Sequence, residues 1–176
     1  MPRQARKKSV TGIYHIMLRG INRQTIIEDG EDSQIFKETI GIYKAQTNCQ
    51  VYAYCLMKNH VHLLVKIDED KIGTFMRKVG AKYVYWYNLK YNRIGGLFQD
   101  RYKSEVVEDE SYFFSVLRYI HQNPVKAGLC KNLYDYKESS YNEYLHPKEN
   151  QIQIERLTGI NRGIIARIQR DAPSSP

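Results

Sequence analysis

The sequence predicts an α+β fold, a sandwich of one largely antiparallel sheet with helices packed on it. Segments with the two-residue period of strands alternate with segments whose apolar residues recur every three or four positions, as in helices. Two strand segments are consecutive and meet at Lys58-Asn59, which indicates a hairpin. A chain of 176 residues is long enough for one main domain with a small appendage.

The elements follow in order along the chain. The pattern predicts strands over residues 12–19, 51–57, 60–67 and 102–108, and helices over residues 31–47, 70–91 and 110–123. Tyr83, Tyr87 and Tyr91 recur every fourth residue in the second helix, which is typical of a packed helical face. The third helix is expected to end near Asn123, because Pro124 disfavours helical geometry at the residue before it.

The strand over 60–67 carries two histidines. Side chains alternate along a strand, so His60 and His62 project to one side while Val61 and Leu63 project to the other, the core side. The two histidines lie about 6.5 Å apart at the backbone, given a rise of about 3.3 Å per residue. Two neutral imidazoles at this spacing form half of a metal site, although the pattern also fits a partly exposed polar sheet edge.

The helix over 110–123 carries a second pair of polar residues. Its apolar residues recur at helical spacing: Phe113, Val116, Leu117 and Ile120. Tyr119 and Asn123 are four residues apart, about 40° around the helix, at the margin of the apolar stripe. A tyrosine there is also typical of a core edge, and an asparagine before proline of a helix stop. His121 lies about 200° from Tyr119 and is expected to be a solvated helix residue.

Four blocks in the chain together resemble a known family. They are Tyr14-His15 with Arg19-Gly20-Ile21-Asn22-Arg23-Gln24, then Met57-Lys58-Asn59-His60-Val61-His62, then Gly96-Leu97-Phe98-Gln99-Asp100-Arg101-Tyr102-Lys103-Ser104, then Tyr119 through Gly128. In this order they resemble the single-tyrosine HUH transposases, most closely the REP-associated branch, from about residue 10 to about residue 145. Lys58 replaces the usual proline, which changes a turn rather than a ligand.

The resemblance implies a ferredoxin-like sandwich and roles for four residues. Tyr119 would attack a DNA phosphodiester, keep a 5′-phosphotyrosine link and free a 3′-hydroxyl. His60, His62 and Asn123 would hold a divalent metal that assists the attack. The family implies Mg²⁺ or Mn²⁺, whereas two imidazoles and an amide would by ligand type suit Zn²⁺, Mn²⁺ or Co²⁺ better than Mg²⁺.

The charge of the chain is consistent with a nucleic-acid partner. There are 27 basic and 19 acidic residues, a formal net charge of +8, which favours phosphate binding. The resemblance implies single-stranded, hairpin-forming DNA as the partner. The residues expected to contact DNA are Arg19, Asn22, Arg23, Lys58, Asn59, Gln99, Arg101 and Lys103, with Arg162 and Arg167 near the C-terminus. Residues 2–8 form a basic arm.

The predicted organisation is a transposase-like domain over 1–145, a helix-turn-helix-like appendage over 146–170 and a disordered tail over 171–176. The appendage would read DNA, clasp the main domain or fray. The three cysteines form no CxxC and no even framework, which favours reduced thiols. Without an apolar run of 18 residues or a signal sequence, we expect a cytoplasmic, nucleoid-associated protein, either a monomer or a homodimer.

Three functions fit the sequence. The first is a transposase that nicks and rejoins single-stranded DNA near hairpins. The second is a non-catalytic regulator that binds hairpins or promoters through the same basic surface. The third is a metal-dependent hydrolase in which water attacks instead of Tyr119. The presence of Tyr119, His60, His62 and Asn123 together favours the first.

Overall fold

A computed structural model of the chain describes residues 7–145. The strands are β1 (Ile13–Arg19), β2 (Gln50–Leu56), β3 (His60–Lys66) and β4 (Lys103–Val106), and the helices are α1 (Gly30–Thr47), α2 (Glu69–Lys90), α3 (Glu110–Lys126) and α4 (Tyr141–Leu145). Short 3-10 turns lie at Ile21–Arg23 and Leu133–Asp135. The predicted appendage, with Arg162 and Arg167, and the predicted tail lie outside the described residues.

The sheet has four strands in the order β2-β3-β1-β4, and every pair of neighbours is antiparallel. Two crossover units, β1-α1-β2 and β3-α2-β4, form the sheet. The β2–β3 hairpin connects the first unit to the second along the chain. This is the ferredoxin-like arrangement, so the predicted fold class is confirmed. The histidine strand β3 lies inside the sheet between β2 and β1. No helix in residues 7–145 is long and apolar enough to span a membrane.

Both faces of the sheet are buried, although the alternation in β3 indicated only one core face. On one side Ile16, Leu63 and Phe75 belong to a core shared with α1 and α2. On the other side Leu64 and Ile120 belong to a second core under α3. The histidine face of β3 is therefore covered, because α3 returns across the sheet after the last strand.

Side-chain caps determine where two helices begin. Ahead of α1, the Asp29 carboxylate accepts the Asp32 backbone N–H at 3.0 Å, and the Asp32 carboxylate accepts that of Asp29 at 3.4 Å. Ahead of α3, Asp109 accepts the Tyr112 backbone N–H at 2.7 Å. Each such cap stabilises a helix by about 1 kcal/mol. The cap at Asp109 fixes the start of α3 and thereby the position of Tyr119 along it.

The tyrosine stripe of α2 is a packed face, as predicted. Tyr83 and Tyr87 are buried, and their hydroxyls donate to backbone carbonyls of the segment after β1, Tyr83 to Ile26 at 2.5 Å and Tyr87 to Thr25 at 3.1 Å. Buried tyrosines commonly satisfy their hydroxyls in this way. The stripe therefore anchors the loop that follows β1 to α2.

Two expectations about boundaries were wrong. The helix α3 does not end near Asn123 but continues to Lys126, with Pro124 inside it. Proline lacks the N–H that would bond one turn back, and its ring disfavours a helical residue before it. Here Pro124 is buried, and the Ala127 and Leu129 N–H groups donate to Asn123 and Pro124, each at 2.9 Å. Strand β4 is also shorter than the predicted 102–108.

The prediction that His121 is a solvated helix residue was also wrong. Its side chain is 4% exposed, and its ring packs against Tyr141 and Tyr144. Its Nε2 lies 2.9 Å from the Ser140 hydroxyl oxygen. The segment after α3 folds back over the face of α3 that carries His121, a face that the apolar pattern of the helix predicts to be exposed. Burial lowers the pKa of His121 from 6.5 to about 3.

This burial predicts a pH-dependent stability. His121 is neutral in the fold, whereas in the unfolded chain it gains a proton near pH 6.5. The unfolded state then binds more protons, so the free energy of unfolding falls as pH falls from 6.5 towards 3. Between about pH 7.5 and about pH 5, His121 should account for a loss of about 2 kcal/mol. Urea unfolding of the parent and of His121→Gln at both pH values measures this, and equal losses in the two proteins contradict it.

Candidate functional site

The predicted site residues of β3 face α3, and the strand pairing brings charged neighbours to the same face. Arg19 of β1 lies opposite His60 in the ladder. Met17 lies opposite both His62 and Lys103 of β4. Directly opposed residues project to the same side of a sheet. Arg19 and Lys103, both exposed, therefore lie on the histidine face, as a basic border around it.

Four predicted residues from two elements meet on this face. The ring centroids of His60 and His62 are 4.9 Å apart, and that of Tyr119 is 5.4 Å from that of His62. The Asn123 side-chain nitrogen Nδ2 lies 3.4 Å from Nε2 of His62, and the Asn123 amide is also close enough to His60 to raise the pKa of that ring. One chain thus brings its own Tyr119 beside its own paired histidines, with the amide of Asn123 between the two imidazoles.

A neighbour on the chain orients His60. The Asn59 side-chain oxygen lies 2.6 Å from Nδ1 of His60 and accepts a hydrogen bond from the N–H there. A neutral imidazole carries one N–H, so Nε2 of His60 keeps its lone pair. Asn59 is also a predicted DNA contact, and in this structure its side chain points towards the His60 ring. In metal-binding histidines, the ring N–H that does not face the metal typically donates a hydrogen bond to an oxygen acceptor.

Both imidazoles are held in the neutral form. His62 is 2% exposed, and burial, followed by the neighbouring His15 and His60, lowers its pKa to about 3. Burial also lowers the pKa of His60, against the raising effect of the Asn123 side chain and together with the charge of Arg19. Neutral imidazoles are the form that binds a cation. The two rings and the amide therefore fit a divalent metal.

The amide is essential to that fit. Among residues 7–145 no group of three or more His, Cys, Asp or Glu side chains is arranged to hold a metal ion. The two histidines of β3 therefore need a third ligand of another type, and Asn123 is the polar side chain that reaches both. Its position follows from α3 alone, because it lies one turn beyond Tyr119 on the same side of the helix.

Tyr119 lies at the open side of the site. Its side chain is 44% exposed, while its ring contacts His62 and His15 edge-on. The ammonium of Lys126 lies 5.8 Å from the centre of the Tyr119 ring. Lys126 was not among the predicted site residues, although it lies on the same side of α3 as Tyr119, two turns later, a spacing that could have identified it. A large substrate can reach the hydroxyl of Tyr119 without entering the core.

Three of the four sequence blocks come together in the structure, because the loops that contain them join at one end of the sheet. The Gly20 N–H donates to the Asn59 carbonyl at 2.9 Å, and the Gln99 N–H to the Arg19 carbonyl at 2.8 Å. The Ile26 N–H donates to the Lys58 carbonyl at 2.7 Å. The predicted DNA contacts in these loops and beside them are exposed or half-buried: Arg19, Asn22, Arg23, Lys58, Asn59, Gln99 and Arg101.

Comparison with known proteins defines the class of this fold and site. Residues 8–123 match the family described as Transposase IS200 like. The chain belongs to this family, which confirms the resemblance predicted from the four blocks.

Two individual proteins are also similar to this chain. A Haemophilus influenzae protein that bears the name REP-associated tyrosine transposase is 27% identical over 118 residues, which are 60% of this chain and 64% of that protein's length. The chain thus matches a little under two thirds of that relative. A solved structure of a REP-associated tyrosine transposase bound to a REP hairpin has a TM-score of 0.70 and 18% identity, and the match covers 82% of this chain and 86% of the other. This second likeness shows the shared fold.

Gly20 at the junction of the loops should tolerate no side chain. A Cβ built on Gly20 would clash with the Gln24 carbonyl oxygen and would lie 2.9 Å from a methyl carbon of Ile26. The loop must then shift, so Gly20→Ala should lower the free energy of unfolding by about 1–3 kcal/mol. Gly73→Ala is the matched control, since nothing lies within 4 Å of a Cβ there and alanine favours helix α2. Chemical denaturation of both variants tests this, and equal stability would contradict it.

Proposed function

We propose that this protein is a transposase that cleaves and rejoins single-stranded DNA beside hairpins, with Tyr119 as the nucleophile. The observation that carries the proposal is the convergence of Tyr119, His60, His62 and Asn123 on one face of the sheet, with the Tyr119 and His62 ring centroids 5.4 Å apart. The tyrosine is the exposed member of this group and the histidines are its inner members.

The chemistry exchanges one phosphodiester for another. The Tyr119 oxygen forms a bond to phosphorus, the bond from phosphorus to the 3′ oxygen breaks, and that oxygen leaves as a 3′-hydroxyl after taking a proton. The 5′ end of the strand stays linked to Tyr119. A second 3′-hydroxyl then attacks the phosphotyrosine and releases the phenol. Covalent catalysis of this kind keeps the bond energy for rejoining and consumes no cofactor.

The chain supplies a holder for a divalent cation. When bound, Mg²⁺ or Mn²⁺ would stabilise the charge that develops on a non-bridging phosphate oxygen and would orient the phosphate. Nε2 of His60 and of His62, with the side-chain oxygen of Asn123, would be its ligands. Asn59 would keep the His60 ring in the required tautomer through the 2.6 Å contact. Burial of His62 excludes the water that would otherwise compete for its nitrogen.

The basic border would hold the DNA strand. Arg19 and Lys103 flank the histidines, and Asn22, Arg23, Lys58, Gln99 and Arg101 lie in the adjacent loops or next to them. Neutralising phosphates with the lysine and arginine side chains of this set makes binding depend on salt. A hairpin partner is supported by the relative that was solved with one. Because one chain contains the whole residue set, we propose that a monomer can act.

Removal of the Tyr119 hydroxyl should abolish the covalent intermediate. The parent, incubated with Mn²⁺ and labelled single-stranded hairpin oligonucleotides, should form an adduct that survives a denaturing gel. Tyr119→Phe should bind the strand and form no adduct, because phenylalanine has no oxygen to attack with. Tyr134→Phe, which alters a similarly exposed tyrosine outside α3, should behave as the parent.

The other outcomes separate the alternatives. Cleavage by Tyr119→Phe at the parental rate would show that water attacks, as in a hydrolase. Strand binding by the parent without cleavage of any tested hairpin would favour the regulator.

The cation holders should be needed for cleavage and not for strand affinity. His60→Ala and Asn123→Ala should each lower the rate of Mn²⁺-dependent cleavage by about 100-fold or more, since each removes a ligand, while strand affinity stays within about 3-fold. Gln122→Ala, next to Asn123 on α3, is the control and should keep parental activity. Circular dichroism monitors folding, and an equal loss of structure in both variants would assign these residues a structural role instead.

A further inference from the structure

We infer that His15 is a positioning residue that fixes which nitrogen of His62 faces the cation, as the middle member of a Glu105–His15–His62 relay. The relay rests on the proposed metal site but not on the identity of the nucleophile. His15 lies in the first of the four sequence blocks, where the sequence pattern predicts no role for it. Its place follows from strand alternation, since it lies on the same face of β1 as Arg19.

The His62 ring has a protein partner at each nitrogen. Its Nδ1 lies 3.0 Å from Nε2 of His15, and its Nε2 lies 3.4 Å from Nδ2 of Asn123. A neutral imidazole has one N–H donor and one acceptor nitrogen. As oriented, the Asn123 amide donates to Nε2, so the proton of His62 belongs on Nδ1. That assignment leaves the lone pair of Nε2 on the side of Asn123 and His60, where a cation would bind.

A proton on Nδ1 of His62 requires an acceptor. The side chain is 2% exposed, so bulk water does not reach it, and an unsatisfied buried donor would cost about 1–3 kcal/mol. Nε2 of His15 is that acceptor, provided that the His15 proton is on Nδ1. The two rings stack with their centroids 5.2 Å apart and an angle of 21° between their planes. This contact holds the His15 ring in place beside the His62 ring.

Glu105 favours the required form of His15. Its carboxylate oxygen lies 3.6 Å from Nδ1 of His15, and it occupies the position opposite His15 in the pairing of β1 with β4. A negative carboxylate beside Nδ1 stabilises the N–H there and leaves Nε2 as the acceptor. The carboxylate is largely exposed, so its contribution should be smaller than that of the buried His15 ring.

Each of the two histidines of β3 thus has an acceptor at its Nδ1, and the acceptor is a different residue type in each case. His60 donates its Nδ1 proton to Asn59, the residue before it, at 2.6 Å. His62 donates its Nδ1 proton to His15, on the next strand, at 3.0 Å. Removal of the hydrogen-bond partner of a metal-binding histidine typically weakens metal binding by about 10–100-fold. His15 should therefore govern cation affinity without touching the cation.

Two substitutions separate this role from packing. His15→Phe keeps a flat ring in the stack and removes the acceptor. His15→Gln gives up the ring but returns an acceptor oxygen at a similar reach. The full-length protein is titrated with Mn²⁺ alone, and free Mn²⁺ is measured by electron paramagnetic resonance. We expect about 10–100-fold weaker binding for His15→Phe and binding within about 3-fold of the parent for His15→Gln.

The His62 tautomer is a second readout that needs neither metal nor DNA. Long-range proton–nitrogen NMR of the parent should show His62 protonated at Nδ1, and His15→Phe should shift the proton towards Nε2. Protonation of parental His62 at Nε2, or equal Mn²⁺ affinity of His15→Phe and the parent, would overturn the relay. If parental binding and tautomer are as expected and no DNA is cleaved, the relay stands and the proposed function fails.

Discussion

The register between β1 and β3 is the constraint on which the rest of the structure depends. It places Arg19 beside His60 and His15 beside Leu64, so that the histidines of the site and Arg19 share one face of two inner strands, opposite α3. A shift by one residue would turn His60 and His62 into the core under α1 and α2. That shift is opposed by apolar residues on both sides of β3, which bury the strand between two cores.

Burial and exposure are divided across the site in a way that suits its proposed chemistry. The inner groups, His62 and His15, lie among packed strands, and burial lowers the pKa of both, against the raising effect of Glu105 in the case of His15. The outer group, Tyr119, lies on the open side of α3 with Lys126 over its ring. Neutral imidazoles are therefore protected from water, while the phenol remains accessible to a polymer that cannot enter the fold.

The loops at the end of the sheet connect strand recognition to that site. Arg19, Lys58 and Gln99 belong to three segments far apart in sequence, yet backbone hydrogen bonds join those segments. The tyrosines of α2 anchor the first of these loops, because their hydroxyls donate hydrogen bonds to the backbone carbonyls of Thr25 and Ile26. A contact between DNA and any one loop would thus be made by a surface whose position is set by the same framework that carries the histidines.

Local patterns in the sequence determined the order of the elements, the shared face of His60 and His62, and the alignment of Tyr119 with Asn123. These follow from the periods of strands and helices, which act between residues a few positions apart. The tertiary structure alone decided that His121 is buried, that α3 passes through Pro124, and that His15 supports His62. Each of these depends on segments distant in sequence that cover a face or supply a partner, and such contacts leave no periodic trace in the chain.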